Sequence, residues 1–222
     1  MNKRQFKNSV YNELARITKA LANPHRLEII ELLAQGEFSV EQIAEQTGLP
    51  IANASQHLQV LKAGLLVDVT RQGNHILYRL ANDNVFRAWG ALRALGMERI
   101  EAIEKVVKQF RQNRFSGEAV TIDQLIEKVK HGKATVLDVR PETEYKQGHI
   151  KNAISIPWDQ LAKRMKELPK RKEVVAYCRG PFCVYADDAV ALLRKEGYKA
   201  FRLNEGFPDW KVRQLPVSID LN

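Results

Sequence analysis

Val174-Val175-Ala176-Tyr177 is an unbroken apolar run that ends on Cys178 and is followed at once by Arg179-Gly180-Pro181. A stretch apolar at every position fits a strand buried on both faces. The Gly-Pro step stops that strand, and Cys183 to Lys195 then reads as a helix closed by Gly197. The alternation continues on both sides. Thr121-Ile122-Asp123-Gln124 opens a helix with a capping box, and Gly132 closes it. Thr135 to Val139, Ala153 to Pro157 and Ala200 to Leu203 read as strands, and Trp158 to Leu168 as a helix. Such alternation predicts an α/β domain with a mainly parallel sheet. Ligands of such sheets bind at the carboxyl ends of the strands, where Cys178 stands.

The chain has two cysteines, Cys178 and Cys183, and both lie in this loop. Free N–H groups and the positive end of a helix favour a thiolate. The predicted reactive group is therefore Cys178, with the backbone of Arg179, Gly180, Pro181, Phe182, Cys183 and Val184 as the cradle for a sulfur bound to it. Gly180 is expected to turn with positive φ, and Arg179 to draw an anionic donor. Cys183 has two readings. As a resolving thiol it attacks a persulfide on Cys178, releases sulfide and leaves a disulfide. Otherwise it is a small apolar residue at the start of a helix. A zinc site lacks two further ligands; no metal or other cofactor is expected. His25 and His131 read as surface or capping residues.

Two cysteines cannot build a disulfide framework, which suggests a reducing compartment. No apolar stretch approaches the roughly 18–20 residues that span a bilayer. Met1 to Lys7 is basic, but no apolar segment of a secretory signal follows. The expectation is a cytoplasmic protein with no membrane partner.

The first half reads as helices and one hairpin. Phe6, Val10, Leu14, Ile17 and Leu21 recur at helical spacing, and so do Leu27, Ile30 and Leu33 after Asn23-Pro24. Ser39 caps a short helix that stops near Gly48, and a second follows Pro50 with Ala54, Leu58, Leu61 and Leu65 facing inward. Val67 to Thr70 and Ile76 to Leu80 form a hairpin with a polar tip. A long helix from about Asp83 to Gln112 carries a coiled-coil-like seam, which points to a partner subunit. Two short tandem helices, a hairpin and a long helix describe a winged helix-turn-helix, whose second short helix enters the DNA major groove.

Asn53, Gln56, His57 and Val60 then face outward, with Ser55 and Gln59 at the margins. Asn and Gln bond base edges. Lys62 is the expected phosphate contact, and Arg71, Asn74 and His75 reach DNA from the hairpin tip. No acidic residue lies between Glu45 and Asp68, so repulsion from phosphates is avoided. The net charge of +9 by itself does not locate this site.

Residues 14–80, above all Ala22 to Ile30 and Ser55 to Leu66, resemble the arsenic-repressor (ArsR/SmtB) family of dimeric winged-helix repressors. That family's metal sites use cysteines on the recognition-helix scaffold or Asp/His pairs on terminal helices. Here no cysteine precedes Cys178 and the 83–112 segment has no histidine. The resemblance implies DNA binding without a metal site.

Residues 119–215 resemble a rhodanese domain through Leu137-Asp138-Val139-Arg140, Glu144-Tyr145, Gly148-His149-Ile150, Ala153 to Pro157, the Cys178 loop and Leu203 to Trp210. The resemblance implies that Cys178 takes a sulfane sulfur from a donor and yields it to a thiol acceptor. Asp138, Arg140 and His149 are read as scaffold. Related phosphatases and arsenate reductases need an arginine six residues after the cysteine, where this chain has Val184.

The domains expected are a mainly-α winged helix-turn-helix at 1–113 that binds operator DNA and dimerises through its first helix and the 83–112 helix, a linker at 114–118, and an α/β rhodanese-like domain at 119–222. The function expected is a repressor that couples sulfur or redox state to transcription. The alternative is a thiosulfate or polysulfide sulfurtransferase with an accessory DNA-binding domain.

Overall fold

A computed structural model describes residues 1–73, 75–112 and 119–220. It divides into two compact units, Met1–Trp89 and Gly90–Asn222.

The first unit holds α1 (Lys3–Leu21), α2 (Pro24–Leu33), β1 (Phe38–Ser39), α3 (Val40–Thr47), α4 (Ile51–Ala63), β2 (Val67–Gln72), β3 (His75–Leu80) and the start of α5 (Asp83–Arg99). Local chemistry sets the helix ends. Asn2 with Gln5, and Ser39 with Gln42, make capping boxes, while Asn23 accepts from the Arg26 N–H. Gly48 closes α3 in the left-handed conformation, φ 67°. Ile29, Ile30, Ile43, Leu58 and Leu61 form a fully buried centre. The three strands pair antiparallel in the order β1-β3-β2.

Three expectations change here. Leu65 does not join the inward stripe of α4. It follows Gly64 beyond the helix with φ 58° and is 78% exposed, and Leu66 is buried instead. The hairpin strands run further than expected, to the pair Gln72 and His75, so Arg71 belongs to β2; Asn74 lies outside the described residues. The long helix of 83–112 is broken at Ile100 into α5 and α6 (Glu101–Gln112). The Ile100 N–H still bonds the Gly96 carbonyl at 2.9 Å, and the Ile103 N–H bonds the Ile100 carbonyl at 2.9 Å across the break. The two-unit division falls within α5, so α6 counts with the second unit. The start of the supposed seam, Val85 and Trp89, is buried together with Phe86. The linker expected at 114–118 lies outside the described residues.

The second unit continues with β4 (Ala119–Val120), α7 (Ile122–Lys130), β5 (Ala134–Asp138), α8 (Glu142–Gln147), β6 (His149–Ile150), β7 (Ile154–Ser155), α9 (Trp158–Arg164) with a 3-10 turn over Met165–Glu167, β8 (Glu173–Tyr177), α10 (Tyr185–Lys195), β9 (Ala200–Leu203), α11 (Phe207–Val212) and β10 (Val217–Ser218). β4, β9, β8, β5 and β7 lie side by side in that order, all parallel. β6 and β10 form a small antiparallel pair. Side chains of β8 alternate between two cores. Val174, Ala176 and Cys178 pack with Leu161, Ala189, Val190 and Leu193, whereas Val175 and Tyr177 pack with Leu125, Phe207 and Trp210. Both faces are covered, which is why the run is apolar throughout.

Candidate functional site

The strand β8 delivers Cys178 to the carboxyl edge of the sheet, beside the end of β5. The loop that follows is longer than expected: α10 begins at Tyr185, not at Cys183. Cys178 is buried, Cys183 is half-buried, and the two form a disulfide with their Cα atoms 6.1 Å apart. The loop is pinned at several points. The Cys183 N–H donates to the Gly180 carbonyl at 3.1 Å, and the Phe207 N–H to the Cys178 carbonyl at 3.1 Å. An added Cβ on Gly206 would meet the Arg179 carbonyl oxygen at 2.2 Å, so this position admits no side chain without moving the loop. The tight requirement for glycine therefore sits at Gly206. The left-handed glycines among the described residues are Gly48, Gly73, Gly132 and Gly197, and Gly180 is not one of them.

Buried charges brace the same loop. Arg179 does not present a free cation: its Nε donates to Glu144 at 3.1 Å, and Glu144 is 1% exposed. Asp138 accepts from the backbone N–H of Arg140 at 2.9 Å and from its Nε at 3.0 Å, with the Tyr177 hydroxyl donating to the same carboxylate. Burial disfavours the Arg140 charge, yet Asp138 beside it and Tyr177 hold its pKa above the usual value. Burial and Asp138 likewise push the Tyr177 phenol well up. His149 bonds the Tyr145 carbonyl through Nδ1 at 2.9 Å and stacks on the Tyr145 ring. Asp138, Arg140 and His149 thus serve as framework.

A further arginine was not foreseen. Arg111 of α6 donates to the Pro181 carbonyl inside the cysteine loop, and its Nε lies 3.4 Å from Asp187 of α10. Asp187 is fully buried and also faces Arg202, Nε to Oδ1 3.1 Å. Burial and the neighbouring Arg111 lower the Arg202 pKa to about 10, against the pull of Asp187. Nothing in the local spacing around residue 111 signals this role. Glu144 and Gly206 were visible only as members of the rhodanese-like motifs.

In the first unit, α4 follows α3 with Ala54, Leu58 and Leu61 turned into the core. Asn53, Gln56, Gln59 and Lys62 are exposed on the other side, and Ser55 and His57 are half-exposed at its margins. Val60 is exposed as expected. The His57 ring lies 5.4 Å from that of His25, centroid to centroid. Desolvation lowers the His57 pKa, and the nearby His25 and Arg26 add to the effect. Arg71 is exposed on β2. The backbone of His75 lies in β3. Among the described residues no helix is long and apolar enough to cross a membrane.

These features define a class: a winged helix-turn-helix unit joined in one chain to an α/β unit that presents a cysteine loop at the carboxyl edge of its sheet. A helix-turn-helix domain family matches residues 21–70, and the rhodanese-like domain family matches residues 121–213. Over 211 residues the chain is 40% identical to the HTH-type transcriptional regulator Rv0324 of Mycobacterium tuberculosis, covering 95% of this chain and 92% of that protein. It is 41% identical over 83 residues to the biofilm growth-associated repressor of Agrobacterium fabrum, covering 37% and 71% respectively. Among solved structures, the homodimeric winged helix-turn-helix DNA-binding domain of a possible ArsR-family regulator from Mycobacterium bovis is 41% identical, covering 45% of this chain and 91% of that one, with a TM-score of 0.42. A rhodanese-related protein from Thermoplasma volcanium is 28% identical, covering 46% and 99%, with a TM-score of 0.42. The chain belongs to the HTH-type transcriptional regulators, with its helix-turn-helix domain joined to a C-terminal rhodanese-like domain.

Proposed function

We propose that this regulator is a repressor whose operator affinity is set by the sulfur state of Cys178 and Cys183. One observation carries the reading: both cysteines of the chain stand in one rhodanese loop, close enough to be joined. In the first step the Cys178 thiolate attacks the outer sulfur of a hydropersulfide donor. A new S–S bond forms on Cys178, the donor's S–S bond breaks, and the donor leaves as a thiolate. In the second step the Cys183 thiolate attacks Cys178 Sγ, expelling hydrosulfide and closing the disulfide. A thiol reductant resets the pair by exchange, which fits a cytoplasmic protein.

Asn53, Ser55, Gln56, His57 and Gln59 read base edges, and Lys62, Arg71, Asn74 and His75 contact the backbone or minor groove. Two copies pair through α1 and α5. The support is the α1 stripe, where Phe6, Val10, Leu14 and Ile17 stay exposed in a single chain. Arg111 supplies a route from loop to helix, because it bonds the loop carbonyl of Pro181 from α6.

The test compares operator affinity of reduced, persulfidated and disulfide protein at fixed salt, with Cys178→Ser and Cys183→Ser as controls, alongside sulfur turnover. The reading expects affinity to change with thiol state and Cys178→Ser to abolish that change. Brisk turnover with constant affinity leaves the enzyme reading instead.

A further inference from the structure

A cavity of about 520 Å³ lies between α6 and the cysteine loop, within the size range of small-molecule sites. Its walls are apolar. Val106, Val107 and Phe110 come from α6, and Pro181, Phe182 and Val184 from the loop, on both sides of Cys183. Phe182 and Phe110 are 39% and 40% exposed, so both rings present bare surface to the cavity. The arginines around the loop engage carboxylates: Arg179 pairs with Glu144, and Arg111 and Arg202 share Asp187. Each of these arginines is already engaged with a carboxylate, so none of them is reserved for a small dianion such as thiosulfate, whereas an alkyl chain finds an apolar cavity walled by the loop residues on both sides of Cys183.

We infer that this cavity holds the apolar tail of an alkyl hydropersulfide, the donor from which Cys178 takes its sulfur. The inference rests on the reading of Cys178 as a sulfur acceptor. With the tail between Val106, Phe110 and Phe182, the sulfur end of the molecule points into the loop that carries both cysteines. The Cys178 thiolate then attacks the outer sulfur, Cys178 gains the S–S bond, and the alkyl thiolate leaves with the electron pair of the bond that broke. The released alkyl thiol fits the same cavity, so its departure is a separate step from sulfur transfer. Arg111 closes the polar end, holding Pro181 through its carbonyl and Asp187 through its carboxylate.

The experiment uses reduced full-length protein with Cys183→Ser, which traps the persulfide. Hexyl hydropersulfide, glutathione persulfide and thiosulfate are supplied at equal concentration, and sulfur gain at Cys178 is followed by intact-protein mass spectrometry. Each rate is divided by that donor's rate with a small free thiol, which removes intrinsic reactivity. Hexyl hydropersulfide is expected to load at least about tenfold faster than glutathione persulfide, a factor that two fully buried methylenes supply. Val106→Glu, at a position already 65% exposed, and separately Phe182→Ala, bring the two donors within about twofold of each other. Thermal unfolding checks that both variants fold. Equal loading by all donors, or a preference that survives both substitutions in folded protein, overturns the cavity assignment. No loading from any donor overturns the sulfur-acceptor reading beneath it.

Discussion

The two units keep their charges in opposite places. Among the described residues of the first unit, Gln35 is the single buried polar residue, and the polar groups of α4 lie outside the core. The second unit buries Asp138, Arg140, Glu144, His149, Asp187 and Arg202, gathered around or behind the cysteine loop. A DNA-reading face meets a wet, charged partner and gains from exposed donors. Under the sulfur chemistry proposed for the second unit the cysteine loop must keep its shape, and buried ion pairs resist deformation because breaking one strands a charge.

The contrast is broken most forcefully at Arg140. Replacing it, Arg140→Met, leaves Asp138 buried without its cation, and the second unit is expected to lose about 3–5 kcal/mol. Urea unfolding followed at the tryptophans should show one transition moving while the helix-turn-helix transition stays; a common shift of both would mean the units do not unfold separately. Gly206→Ala probes the loop from behind. A methyl there meets the Arg179 carbonyl at 2.2 Å, so a cost of about 1–3 kcal/mol is expected, together with slower closure of the Cys178–Cys183 bond measured by thiol titration.

The exposed face is sharpened by smaller effects. Gln56→Ala should remove about 1–3 kcal/mol of discrimination at one operator position with no change in stability, read by fluorescence anisotropy on single-base variants. Lys62→Ala should weaken all sequences alike and make the salt dependence shallower by about one unit of slope. The smallest effect is a pH slope. His57 titrates below its unfolded value because of desolvation, His25 and Arg26. As pH falls through the unfolded value the unfolded chain takes up the proton and the folded one does not, so stability drops on that side and levels off below the folded value. His57→Gln should flatten that slope in melts between about pH 5 and 8; a slope that persists would assign it to another group.

Much of this was legible in the chain. The capping boxes at Ser39 and Thr121 hold as expected, because Ser/Thr-x-x-Gln bonds within one turn. The failures are equally local in origin. Periodicity carried the 83–112 helix straight through Ile100, since a hydrophobic count registers the spacing of apolar residues and not whether the backbone stays helical between them. It also turned Leu65 inward, although that residue lies beyond the last helical turn, in the left-handed region.

The sequence by itself determined that a buried parallel strand ends on a cysteine loop, and that a polar helix face follows an apolar one in the first unit. These are consequences of spacing, read over one or two turns. Only the tertiary structure decided that Arg179 turns to Glu144, 35 residues away, and that Arg111 reaches Pro181, 70 residues away. A charge carries no periodic signal of its partner. Which carboxylate or carbonyl it meets depends on strand order and on where the covering helix is laid down, and those are settled by packing the whole unit at once.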